Sequence, residues 1–462
     1  MPKNVTVAAI PVTAAAREAI AIWEAGVRAV DPAERVADCV RYHDKMLTVG
    51  GEDFGPFSGT DTDPQILVVG GGKAGAAMAR GFETALEQTP LADRYSGWVN
   101  VPADCVGPQR RIHLHSARPA GVNEPTEAGV VGSEHLLDSV AKLQSRDLCV
   151  VLLSGGGSAL LPAPREGISL ADKLAVTRFL SRAGASIHEL NTVRQHLSRI
   201  KGGGLLRACG AKRMVVLVLS DVIGNPLSVI ASGPTILPQT RPIDALAVLA
   251  QFGAHPPAVP DSLFRTLKRL AQSADESLAP PSCQATHRLI GSNQIAVDAS
   301  ARAAAQRGYR VRVLGADQGG VAREVGVELA ALCLAESSRT GPGICLISGG
   351  EPVVRLTATD RPQKGGRNQE LVLAALRHLG ESGLARISLV SGGTDGEDGP
   401  TDAAGAVADS LVWSRAAAQK LDPAEFLHDH NSYAFFAAAN GLLKTGPTHT
   451  NVMDIRVAVI SP

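Results

Sequence analysis

The chain has 462 residues, 45% of them hydrophobic and 19% charged, which suits a globular protein of two or three domains. Its 45 Lys and Arg balance 45 Asp and Glu, and only 3% of residues are aromatic. That balance argues against nucleic acid or an acidic membrane as the principal partner, and the scarcity of aromatics argues against base-stacking platforms.

In chain order, residues 13–28 and 32–43 carry apolar side chains at helical spacing: Ile20, Ile22, Trp23 and Val27, then Val36, Cys39 and Val40. Residues 46–62, rich in Gly and Asp, read as a loop. The stretch 66–75, ILVVGGGKAG, is a buried strand that closes on three glycines and a lysine and then opens a helix. Strands are expected at 96–101, 111–115 and 148–153, with a long helix over 125–143. Helices follow at 170–182, 187–200 and from 202, then a strand at 214–220 ending in Ser220-Asp221. Residues 222–238, VIGNPLSVIASGPTILP, read as extended. The domain boundary is placed near their end, giving domains 1–240 and 241–462. Completion of the first by a C-terminal strand near 450–462 is left open. The second part begins with helices at 242–252 and 263–270 and a low-polarity, Pro/Ser-rich surface connection at 273–282. Strands are expected at 287–290, 311–314, 344–347, 387–390 and 454–460, and helices at 296–306, 321–336, 368–379, 411–420 and 433–440. This alternation predicts an α/β fold of two domains, each a mainly parallel sheet covered by helices, with a cleft between them. The larger N-terminal domain is Rossmann-like and the C-terminal one smaller.

The seven cysteines form no C-x-x-C pair and read as small buried hydrophobes, which implies a reducing compartment. The N-terminal segment MPKNVTVAAIPVTAAARE is broken by Pro11 and does not read as a signal peptide, and no apolar run reaches membrane-crossing length. A cytoplasmic protein is expected.

Four strands close on glycines: ILVVGGGKAG, CVVLLSGGGS (149–158), ICLISGGE (344–351) and ISLVSGGTDG (387–396). Ligands of open α/β sheets bind beyond the carboxyl ends of the strands. Amides in such turns and the dipole of a following helix form an anion cradle, to which Lys73 adds a full charge. Gly70, Gly72 and Gly75 formally satisfy the G-x-G-x-x-G dinucleotide pattern. The acid expected at the end of the next strand is missing, since Asp104 lies too far along; a glycine-packed turn without a ligand explains the motif equally well. No Walker loop exists, and Leu160 replaces the last glycine of a nucleophile elbow around Ser158. The strongest phosphate-loop candidate is Ser154, Gly155, Gly156, Gly157 and Ser158, with Gly349 and Gly350 as a second nucleotide-binding pair.

In QKGGRNQE (363–370), two glycines set Arg367 at the start of a helix, where it opposes the helix dipole. Either an anion is gripped there or a neighbouring carboxylate forms a salt bridge. The TDGEDG run carries Asp395 and Asp398, carboxylates suited to Mg²⁺ beside bound phosphates, although aspartates next to glycines are also ordinary turn residues. Asp221 and Asp317 each follow a strand and are further candidates. In NTVRQHLSRIKGGG (191–204), Arg194 and Lys201 share a helix face, read as solvated or as another anion site.

These segments, together with LSDVIGNPLSVIASGPT, IGSNQIAVDAS, GGRNQELVLA, SGGTDGEDGPTDAAGA and TGPTHTNVMDI, resemble the class II glycerate 2-kinases, whose C-terminal half is the MOFRL module. The match runs in order from the first glycine turn to the end. Members of that family were often labelled hydroxypyruvate reductases. The resemblance implies ATP-dependent phosphorylation of D-glycerate at the 2-hydroxyl, in a cleft where Lys73 and Arg367 act. The chain departs from the family pattern at Asn225, where aspartate is expected, and at His449 and Met453, where glycine and asparagine are expected. On this reading ATP phosphates lie against Gly155 to Ser158, Mg²⁺ bridges them to acids near Asp395, and Asp221 or Asp395 is the base. An NAD(P)H-linked hydroxypyruvate reductase is the enzymatic alternative, and a non-catalytic sugar-acid or nucleotide sensor the alternative from another class. The partners expected are small molecules, ATP and D-glycerate, and a homodimer is left open.

Overall fold

In the computed structural model, residues 7–58, 60, 62–273, 280–357 and 360–462 are described. The start of the N-terminal segment and most of the 273–282 connection lie outside them. The backbone divides into two compact units, Pro32–Ile290 and Met1–Asp31 with Gly291–Pro462. No helix among the described residues is long and apolar enough to cross a membrane.

The described residues of the first unit hold β1 (Val40–His43), β2 (Met46–Val49), β3 (Glu52–Phe54), β4 (Ile66–Gly71), β5 (Tyr95–Pro102), β6 (Ile112–Arg118), β7 (Leu148–Leu153), β8 (Arg213–Leu219) and β9 (Gln284–Gly291). β1 to β3 form a small antiparallel meander. The helix expected over 32–43 therefore ends at Cys39, and the loop expected over 46–62 is partly strand. Val40, Leu47 and Val49 are buried at alternate positions, the period of a strand. The main sheet has the order β6-β5-β4-β7-β8-β9, with parallel pairing from β6 to β8. Every residue of β4 and β7 is buried, as in strands covered on both faces. The chain leaves β4 toward β5 and returns on the other side as β7. The carboxyl ends of β4 and β7 thus form the topological switch point, where α/β sheets open a crevice.

The second unit holds β10 (Arg310–Val313), β11 (Ile344–Gly350), β12 (Ile387–Gly393), β13 (Gly405–Ala408), β14 (Leu442–Leu443) and β15 (Asp454–Ile460), in the order β10-β11-β15-β12-β13-β14. Among the described strands of this sheet, only β10 and β11 pair in parallel; β15 runs antiparallel between β11 and β12. The expectation of parallel pairing holds in the first sheet and fails in the second. The reason is the entry point of β15: it starts opposite Gly350 and Gly393, where its two neighbours end, and can only run back between them.

The sequence boundary near 240 falls inside the first unit. Helix Pro242–Gln251 buries Ala245 and Leu249 against Leu190, Val193 and Leu263, and β9 joins β8. Helix Ala14–Arg28 belongs to the other unit, where the buried Trp23 indole donates to the Gly392 carbonyl at 3.2 Å. β15 completes the second sheet rather than the first.

Candidate functional site

In the first unit, the glycines that close β4 and β7 let two turns touch. A Cβ at Gly72 would lie 2.0 Å from Ser154 Oγ, so no other residue fits there. The Lys73 amide donates to the Gly155 carbonyl at 2.8 Å, and the Ala74 amide to Ser154 Oγ at 3.0 Å. Gly156 takes a left-handed conformation with φ +76°, and its Cβ position faces Lys73 Cγ at 3.3 Å and Arg118 Nη2 at 3.7 Å. Gly155 faces Asp221, whose Oδ2 would be 2.1 Å from an added Cβ. Lys73, Ser154 to Ser158 and Asp221 are therefore brought together, as their positions after β4, β7 and β8 require.

Two contributors, Arg118 and Ser232, escaped sequence reading, and a third, Lys201, is placed differently from its expectation. Arg118, 4% exposed, reaches this loop from the end of β6, and burial holds its guanidinium below the ordinary value. Ser232 Oγ lies 3.0 Å from Ser158 Oγ and donates to Asn191 Oδ1 at 3.0 Å. Lys201 donates to the Ser158 carbonyl at 2.6 Å. Helix Ile187–His196 ends before Lys201, so Lys201 shares no face with Arg194 and is buried rather than solvated. The segment 222–238 supplies Ser232 through consecutive left-handed residues, Ala231 (φ +52°), Ser232 (φ +62°) and Gly233 (φ +63°). Such conformations cost about 1–2 kcal/mol for a non-glycine residue and collect at functional sites. The strand after the glycine turn carries the buried Asn100, whose amide donates to the Leu160 carbonyl at 2.8 Å. No ribose-binding acid closes β5, which weakens the dinucleotide reading.

In the second unit, Arg367 opens helix Arg367–Leu384 as expected, and the salt-bridge alternative is realised. Its Nε and Nη2 donate to Asp454 Oδ2 and Oδ1 at 2.7 and 2.9 Å, and its Nη1 lies 2.9 Å from Glu351 Oε1. The Asp454 side chain is 0% exposed and that of Arg367 31%. Burial opposes the charge of Arg367, but Asp454 and Glu351 outweigh it and hold the guanidinium above its ordinary value. Two of its five N–H groups are not used in these three bonds. Asp454 lies at the point where β11 and β12 end, and the sequence offered no sign of it inside an apolar strand.

Asp398 lies against the start of the helix that Arg367 opens. It is 2% exposed and caps the helix that Arg367 opens, accepting from the Asn368 amide at 3.0 Å and the Gln369 amide at 2.8 Å. Burial pushes its carboxyl up to about 7, against the pull of those amides and Arg367. Asp395 is half-buried and accepts from the Glu397 amide at 3.1 Å. Among the described residues, no group of three or more His, Cys, Asp or Glu side chains gathers as a metal site. Asp395 thus lies in a turn and Asp398 in a helix cap. Gly349 and Gly350 are buried; the Gly349 amide donates to the Gly315 carbonyl at 2.8 Å, and a Cβ at Gly350 would lie 2.2 Å from the Gln318 carbonyl oxygen. Close chain approach accounts for both glycines. Asp317 is exposed.

The departures from the family pattern fall at left-handed positions: Asn225 (φ +53°), His449 (φ +61°) and Met453 (φ +69°). Glycine and asparagine take such angles at lower cost, so His449 and Met453 carry backbone strain beside Asp454. The loop they flank is tied down by Thr394, whose Oγ1 donates to the Met453 carbonyl at 2.7 Å and accepts from the Val452 amide at 2.8 Å.

Residues 18–268 match the family described as a domain of unknown function, DUF4147, and residues 344–454 match the MOFRL family. The chain is 35% identical to a glycerate kinase of Danio rerio, covering 96% of this chain and 97% of that protein. It is 34% identical to a glycerate 2-kinase of Pyrococcus horikoshii, covering 94% and 95%. The crystal structure of a glycerate kinase from Thermotoga maritima superposes with a TM-score of 0.80 at 33% identity, covering 96% of this chain and 99% of that one.

Proposed function

The chain belongs to the glycerate kinase family, and from that premise we propose that it phosphorylates D-glycerate at the 2-hydroxyl with ATP, yielding 2-phosphoglycerate and ADP. The observation that carries the reading is the cradle at the switch point, where Lys73 and the Ser154 to Ser158 turn meet beside Asp221. The turn offers backbone donors to phosphate oxygens, and Lys73 offsets charge on the phosphoryl group in flight. Arg367, clamped by Asp454, grips the glycerate carboxylate with its remaining N–H groups.

The glycerate 2-oxygen attacks the γ-phosphorus, the bond to the β–γ bridging oxygen breaks, and ADP departs with that electron pair. Asp221 takes the hydroxyl proton, with Asp395 the second candidate. Mg²⁺ is assigned to the nucleotide, which brings it as the complex, and it supplies charge neutralisation on the phosphates. Positioning and electrostatics carry most of the rate in such transfers, so no covalent enzyme intermediate is invoked.

A coupled assay of ADP release on D-glycerate tests the reading. Steady release that requires both substrates is expected. Oxidation of NADH or NADPH by hydroxypyruvate without ADP release would replace it with the reductase.

A further inference from the structure

A group of basic side chains in the first unit has no part in the mechanism above. Lys173 lies on helix Leu170–Arg182 and Arg194 on helix Ile187–His196. Arg165 is drawn to the end of the second helix, where its Nε donates to the His196 carbonyl at 2.9 Å and Pro164 bridges Ser198. Lys201 follows one turn later, behind Ser158. Lys173 is 8% exposed and Lys201 5%. The Lys173 ammonium is buried and makes no hydrogen bond.

The charges acting on these groups are all of one sign. Burial, then Arg194 and Arg165, lower the Lys173 ammonium to about 7. Burial, then Lys173 and Arg194, hold Lys201 well below its ordinary value. Among the described residues, no carboxylate stands with the charges acting on either lysine. Burying several cations together without a counter-charge is a heavy cost to folding, and a fold keeps it when an anion completes the site. Nothing in the packing of the two helices demands it, since their apolar faces close on Val176, Leu180, Leu190 and Val193.

We propose that Arg165, Lys173 and Arg194, backed by Lys201, form an oxyanion subsite that takes a phosphoryl group of the nucleotide or of the phosphorylated product. The multiple charge of a phosphoryl group matches several cations better than a single carboxylate does. Lys201 links the subsite to the Ser154–Ser158 turn through the Ser158 carbonyl, so occupancy there bears directly on the phosphate loop. The identity of the anion rests on the phosphoryl-transfer reading; the existence of the subsite does not.

The test uses Lys173→Met in the full chain, with calorimetric titration of inorganic phosphate, ADP, 2-phosphoglycerate and D-glycerate, and thermal unfolding of the free protein. Methionine removes the unpaired charge and keeps the apolar stem, so the free variant should melt above the wild type. Its affinity for inorganic phosphate should fall at least about tenfold. The same fall for ADP or for 2-phosphoglycerate identifies which one supplies the phosphoryl group, while D-glycerate should bind unchanged. A purely structural cluster would give the rise in melting temperature with all four affinities unaltered, and that result overturns the proposal. Arg194→Gln, at a half-buried position, provides the same reading if the lysine variant does not fold. Phosphate binding that depends on Lys173 in a protein that turns over no D-glycerate would uphold the subsite and refute the kinase. Turnover with Lys173-independent binding would do the reverse.

Discussion

Replacing Asp454 by asparagine keeps the shape of the side chain and removes its charge. In the wild type the carboxylate is fully buried and accepts two bonds from Arg367, at 2.7 and 2.9 Å. Asparagine keeps one acceptor and turns an amide N–H₂ toward the guanidinium. Removing one partner of a buried pair costs about 3–5 kcal/mol. Arg367 is 31% exposed and keeps Glu351 at 2.9 Å, so the cost is discounted below that range, to about 2–3 kcal/mol. In a unit of this size each kcal/mol moves the midpoint by about 2–4 °C, so a fall of roughly 4–12 °C is expected by thermal unfolding. Loss of the clamp also frees Arg367, and misplacement of a positioning group costs about 100-fold in kcat/KM for D-glycerate. Glu351→Gln is the control: its partner contact is exposed, so it should cost no more than about 1 kcal/mol. An Asp454→Asn variant that melts within about 1 °C of the wild type and keeps its turnover would refute the claim that this pair sets the arginine.

Gly155→Ala would place a Cβ 2.1 Å from Asp221 Oδ2, so the turn must move; kcat/KM should fall about 100-fold, and retention within about threefold would show that the turn tolerates the shift. Lys73→Met should cost about 2–4 kcal/mol of transition-state stabilisation with little loss of stability, because the turn is held by the Lys73 backbone amide; near-normal kcat would remove Lys73 from its role. Asp398→Ala leaves the Asn368 and Gln369 amides uncapped and should lower stability by about 1–3 kcal/mol, read by denaturant titration. The carboxyl of Asp398 is raised to about 7 in the fold, so its contribution is full below about 3.8 and declines as pH rises through 7. Asp398→Asn should therefore flatten the stability profile across that window, and an unchanged slope would show that Asp398 does not titrate there.

What could be read from sequence was what the local chain encodes. The Ile66–Val69 run and the glycines after it specify a strand, a turn and a helix within ten residues, and the structure has them. Gly365 and Gly366 announced the helix start that holds Arg367. The misreadings share one cause, a partner distant in sequence. Asp398 sits in a turn pattern, but its function is set by amides 29 and 30 residues earlier. Asp454 looks like the polar edge of a C-terminal strand, and only the insertion of β15 between β11 and β12 puts it against Arg367. Residues 222–238 read as extended, with a domain boundary near their end, because Gly, Pro and Ser mark irregular chain; here they build the buried turn that carries Ser232 to Ser158. Lys173 gave no signal, since a lysine on an amphipathic helix is ordinarily solvated.

The position of the transferred phosphoryl group tests the central claim most directly. Product formed from ATP and D-glycerate is passed to enolase alone, and phosphoenolpyruvate is followed by its absorbance. Immediate formation of phosphoenolpyruvate in step with ADP release is the expected result. ADP release whose product reaches phosphoenolpyruvate only after a phosphoglycerate mutase is added, or no ADP release at all, would contradict the account.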